Sequence, residues 1–69
     1  MKIKMDSKVE AVINFYWDNE LQEVVFEVDN NTRYTIENGI EIIYENKEEE
    51  MEKLEQVIHE GVWKNRHHD

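Results

Sequence analysis

The chain has 69 residues, no cysteine, and 17 Asp+Glu against 8 Lys+Arg, for a formal net charge of -9. That length confines it to one domain, 1–69, which at this size buries only about 60% of its unfolded surface; the missing cysteines exclude disulfides and thiolate metal sites. No signal-peptide segment or apolar run of spanning length is present, so a cytoplasmic protein is expected, and the acidic balance opposes direct binding to nucleic acid or anionic membrane while favouring basic protein partners.

Residues 1–7, "MKIKMDS", start basic and read as a loose N-terminus. From Lys8 to Glu45 the chain is rich in Val, Ile, Phe, Tyr, Trp and Thr, broken by the turn chemistries "DN", "DNN" and "ENG". In "KVEAVINFYW" the odd positions Val9, Ala11, Ile13, Phe15 and Trp17 are apolar, the alternation of a strand with one buried face. A two-residue loop at Asp18-Asn19 would set Ile13 opposite Val24 and Ala11 opposite Phe26. A three-residue loop at Asp29-Asn30-Asn31 would set Val28 opposite Thr32 and Phe26 opposite Tyr34. A further loop, Glu37-Asn38-Gly39, would set Ile36 opposite Ile40, with Gly39 where a left-handed residue is needed. These registers predict a four-stranded antiparallel β-meander with one apolar face, covered by a C-terminal α-helix, in the α+β class. The alternative follows from "SKVE", a capping-box pattern with Val9, Val12, Ile13 and Tyr16 at helical spacing: an N-terminal helix over Ser7 to Trp17, a three-stranded sheet, then the C-terminal helix.

The other face of the meander would expose Val12, Tyr16, Val25 and Ile43 within a rim of carboxylates, the anatomy of a partner-binding or homodimer surface. Arg33 opposite Glu27 reads as a cross-strand ion pair.

The last element starts near Lys47, capped by Asn46 or the residue before it, with glutamates in a first turn where the helix dipole favours them. Met51, Leu54, Ile58 and Val62 form its apolar stripe, with Val57 and Gly61 at the edge, and this stripe is the lid of the sheet. Lys53 balances Glu49 and Lys64 balances Glu60, but Glu48, Glu52 and Glu55 share a flank that holds no cation. Glu41, Glu45 and Glu49 extend this acidic stripe. Beyond the helix, residues 64–69 read as a frayed tail.

Catalytic chemistry is thin. A single serine, Ser7, and two isolated glycines build neither a nucleophile triad nor a phosphate-cradling loop, so no enzyme and no cofactor are expected. His59, His67, His68 and Asp69 have no ligand spacing on a rigid element, so no metal site is expected.

The stretch "RYTIENGIEIIYENKEEEMEKLEQVIHEGVW", with its strand, acidic turn and helix ending in Gly61 and Trp63, resembles part of the Cas9-inhibiting anti-CRISPR proteins of Listeria prophages. More broadly the chain is similar to small acidic bacteriophage inhibitors of the DNA-mimic type. The resemblance covers less than half the chain and implies helices before and after the sheet, where the residues here favour an initial strand. It also implies a mechanism: carboxylates take the place of phosphates in the basic channel of a nucleic-acid-binding protein, inside the host cytoplasm. The alternative function is a small structural or interaction module that homodimerises or docks a partner through its outer sheet face.

Overall fold

The computed structural model describes residues 1–66, and side chains as far as Lys64. Among these residues six strands precede one helix: β1 (Lys2–Met5), β2 (Lys8–Ala11), β3 (Asn14–Asp18), β4 (Glu23–Glu27), β5 (Arg33–Tyr34), a 3-10 turn (Ile36–Asn38), β6 (Glu41–Ile43) and α1 (Lys47–Arg66). The class is α+β with antiparallel strands and a C-terminal helix, as expected. The strands, however, form two three-stranded sheets, β2-β1-β6 and β3-β4-β5, in place of one four-stranded meander. Three strands per sheet is the count of the alternative reading, but the first element is strand and not helix.

The division occurs inside "KVEAVINFYW". Val12 donates its backbone N–H to the Met1 carbonyl at 3.1 Å, whereas the next residue, Ile13, donates to the Glu27 carbonyl at 2.7 Å. One peptide unit thus joins the two sheets. Inward positions are even before it and odd after it: Val12 packs against the core, as do Phe15 and Trp17, while Ile13 is 67% exposed. Val9 and Ile13, expected inside, both face outward.

The presumed loose N-terminus is the middle of the first sheet. Ile3 is fully buried between Glu10 of β2 and Ile42 of β6, its register partners. The β1–β2 hairpin turns on Asp6 and Ser7, which have φ of 51° and 69°. Positive φ at both central residues is the mark of a type I′ turn, whose twist matches the flanking strands. "SKVE" therefore serves a hairpin, and its capping-box pattern forms no helix.

In the second sheet the β3–β4 loop is longer than two residues. Asp18 pairs with Glu23, Trp17 with Val24 and Phe15 with Phe26, so the register is offset by four residues from the expected one. An even offset keeps every side chain on its face, which is why the core still receives the expected residues. Asp18 sets the loop by accepting the N–H groups of Glu20 and Leu21 at 2.8 and 3.0 Å. The β4–β5 register is as predicted, with Phe26 opposite Tyr34 and Glu27 opposite Arg33. Asp29 accepts the N–H groups of Asn31 and Thr32, both at 2.7 Å, and closes that turn.

The last predicted pairing does not form. Residues 36–38 wind into a 3-10 turn, Gly39 caps it at φ 81°, and β6 pairs with β1 instead of β5. Gly39 is left-handed as expected, but as a helical cap rather than a hairpin residue.

Val24, Phe26, Val28, Ile3 and Leu54 make the buried core, with the Phe15 and Phe26 rings 5.9 Å apart between centroids and tilted by 32°. The helix is rotated from its predicted stripe. Leu54 is 7% exposed and Val57, Ile58 and Gly61 face inward with it, whereas Val62 is 43% exposed. Gly61 is the cause: a Cβ there would fall inside the Trp17 indole, so the helix lies against that ring at its one residue without a side chain.

Leu54→Ala should cost about 2–5 kcal/mol in urea denaturation and Val62→Ala less than about 0.5 kcal/mol; equal losses would contradict this rotation. Gly61→Ala should be destabilising despite alanine's helix propensity, and Trp17 fluorescence should report the displaced ring.

Candidate functional site

The helix start sorts the carboxylates by role. Asn46 and Glu49 bond reciprocally, with the Glu49 N–H reaching Asn46 Oδ1 at 3.5 Å and Asn46 Nδ2 reaching Glu49 Oε2 at 3.1 Å. Glu50 folds back so that its Oε1 accepts the N–H groups of Glu45 and Asn46, both at 2.7 Å. Its Oε2 is buried and has the Met1 ammonium charge at 2.9 Å in place of a well-aligned hydrogen bond. These contacts, the Asn46 N–H first and the ammonium next, hold the Glu50 carboxyl below its ordinary value. Glu50 is therefore a structural residue, tying the first strand to the helix.

The predicted acidic stripe is brought together only in part. Glu48, Glu52 and Glu55 are exposed on α1, and no ion pair reaches them among the described side chains. Glu49 holds Lys53 at 3.4 Å as well as Asn46. Glu45 is exposed in the connection before the helix, its backbone N–H occupied by Glu50 but its carboxylate uncommitted. Glu41 sits apart in β6, in register with Lys4 of β1. Two expected ion pairs, Arg33–Glu27 and Lys64–Glu60, do not close among the described side chains, although Arg33 and Glu27 are in register.

The predicted outer-face group does not form one patch. Tyr16 and Val25 are direct cross-strand partners in the second sheet, but Val25 is 2% exposed. Ile43 lies in the first sheet opposite Lys2, and Val12 is turned into the core by the crossover. The homodimer reading thus lacks the contiguous surface that motivated it.

Two features had no place in the sequence reading. One is the Trp17–Gly61 contact, beside a groove of about 290 Å³ that Phe15, Tyr16 and Glu60 also line. A glycine inside a helical pattern was its available signal. The other is a groove of about 330 Å³ between the sheet crossover and the first turns of α1, lined by Val12, Ile13, Phe15, Glu45, Glu49 and Lys53 among others. Nothing in the sequence announces it, because it depends on the change of sheet.

Among the described residues no group of three or more His, Asp or Glu side chains is placed to hold a metal, and no helix is long and apolar enough to cross a membrane. His59 is exposed on α1, and His67, His68 and Asp69 lie outside the described residues. Compared with protein-family models, curated proteins and solved structures, the chain matches none.

Because the folded Glu50 carboxyl is held below its ordinary value of 4.5, its contribution to stability is complete above that pH and is lost as pH falls through the depressed value. Asp29, lowered by the Asn31 and Thr32 N–H groups, acts with the same sign. Glu50→Gln should lower the urea midpoint at neutral pH and flatten, without abolishing, the acid-side decline; an unchanged midpoint would mean the carboxylate holds nothing together.

Proposed function

We propose that the chain is a non-enzymatic acidic inhibitor that binds a basic nucleic-acid-binding protein and occupies its phosphate sites, in the manner of a phage anti-defence, anti-CRISPR-like DNA mimic acting in the host cytoplasm. The observation that carries this reading is the row Glu48, Glu52 and Glu55, exposed on one helix and without a cation among the described side chains. Neighbours on one helix face are about 5–6 Å apart, close to the phosphate spacing along a nucleic-acid strand, roughly 6–7 Å. Like charges at that spacing cost the helix a few tenths of a kcal/mol per pair, so the row weakens the isolated element unless a partner offsets it.

The surrounding carboxylates sharpen the reading. Glu49 and Glu50 are engaged within the protein, which leaves Glu45 and the three-residue row as the uncommitted charge at this end of the molecule. A net charge of -9 adds long-range attraction toward a positive groove and repulsion from nucleic acid itself. The rigid backbone of α1 fixes the spacing of the row, as a phosphate substitute requires.

Capture from the native host followed by a salt titration tests the reading. The captured protein should bind nucleic acid, compete for it with this chain, and lose affinity steeply as salt rises. Glu48→Gln, Glu52→Gln and Glu55→Gln together should reduce its affinity by about tenfold or more and make the salt dependence shallower. Unchanged affinity and slope in that triple variant would remove phosphate mimicry.

A further inference from the structure

The groove between the sheet crossover and the helix start has two chemically different walls. One is apolar: Val12 and Phe15 belong partly to the core, and Ile13 between them projects with 67% of its surface exposed. Ile13 is not loosely held, since its N–H is fixed to the Glu27 carbonyl at 2.7 Å. The other wall is the start of α1. There the groove's two cations are each paired, Lys53 with Glu49 at 3.4 Å and the Met1 ammonium with Glu50 at 2.9 Å, and Glu50 also accepts the Glu45 and Asn46 N–H groups. Glu45, which is exposed, is the groove's carboxylate with no side-chain partner among the described residues.

An apolar wall facing an uncompensated carboxylate is complementary to a side chain with an aliphatic stem and a cationic head. We propose that this groove seats an arginine side chain of the basic partner, stem along Val12 and Ile13, guanidinium between Glu45 and the Phe15 ring. Arginine fits better than lysine on physical grounds. Its planar head donates two parallel hydrogen bonds to a carboxylate, stacks on an aromatic ring and sheds water more readily than an ammonium. The inference rests on the reading of the chain as a ligand for a basic surface, and it names an anchoring contact separate from the Glu48, Glu52 and Glu55 row.

Two short peptides of otherwise identical sequence, one arginine-glycine and one lysine-glycine, serve as probes against the full isotopically labelled chain. The arginine peptide should shift the amide resonances of Ile13, Asn14 and Glu45 and bind about threefold or more tighter than the lysine peptide. Ile13→Arg, which fills the groove with a guanidinium of the chain's own, and Glu45→Gln should each abolish that preference. Neither side chain makes a hydrogen bond or ion pair among the described residues, so both variants should keep the parent melting temperature.

Shifts confined to the Glu48, Glu52 and Glu55 face, with equal affinity for both peptides, would overturn the groove and leave the mimicry reading standing. Groove shifts and arginine preference that persist while the triple glutamine variant leaves the captured partner's affinity unchanged would uphold the groove and sink the row. Absence of binding by either peptide would overturn the groove.

Discussion

The rest of the structure depends on a single peptide unit. At Val12–Ile13 the chain stops hydrogen bonding to the strand before it in sequence and begins bonding to the strand after it. Buried or half-buried backbone groups must find partners, and here successive N–H groups find them in different sheets. Val12 and Ile13 lie between β2 and β3 and belong to neither strand, and across this break in regular alternation the inward positions change parity. Val12 goes in, Ile13 goes out, and Phe15 goes in again. The first sheet, the second sheet and the groove between the crossover and the helix all follow from that step.

Small size explains why the molecule is tied together as it is. A domain of this length has little core, and two three-stranded sheets expose more edge than one larger sheet would. Ile3 carries the first sheet into the common core beside Phe26 and Leu54, while the Glu50 carboxylate links the Met1 ammonium to the helix start. The helix in turn lies on β3 and β4, where Gly61 admits the Trp17 ring. Met1, Val12 and Ile42 reinforce Ile3 at this junction, and Val57 and Ile58 reinforce Leu54 on the helix. The fold is sensitive to changes at Ile3, Glu50 and Gly61, and indifferent to changes on the outer turns of the helix.

What was legible in the sequence was what local chemistry determines. The Asp29-Asn30-Asn31 turn was readable because an aspartate accepting two N–H groups closes a loop of definite length, and the β4–β5 register followed from it. The β3–β4 loop is longer than its Asp18-Asn19 turn signal predicts, yet the faces are preserved because the offset is even. The crossover is hard to read because "AVIN" contains no glycine, proline or turn dipeptide, and its one signal is that the consecutive apolar residues Ala11, Val12 and Ile13 interrupt the alternation. Its consequence is that Val12 and Ile43 leave the face that Tyr16 and Val25 share as cross-strand partners. The acidic row on α1 was legible in advance, since helical spacing alone fixes which glutamates share a flank.

Charge in this chain is divided by what the backbone leaves over. Asp18, Asp29 and Glu50 accept main-chain N–H groups at turns and at the helix start, and in doing so they serve the fold. Such carboxylates are held by geometry and would serve the fold in a protein with no basic partner at all. Glu48, Glu52 and Glu55 accept nothing among the described groups, and their mutual repulsion opposes the helix that carries them. Solubility requires net charge but not its concentration on one flank, since interspersed signs would serve as well. The groove beside Ile13 adds what a purely solvated helix would lack, an apolar recess at the edge of the charged surface. On the proposed reading, the row and the groove are two separate contacts, since none of Glu48, Glu52 and Glu55 lines the groove.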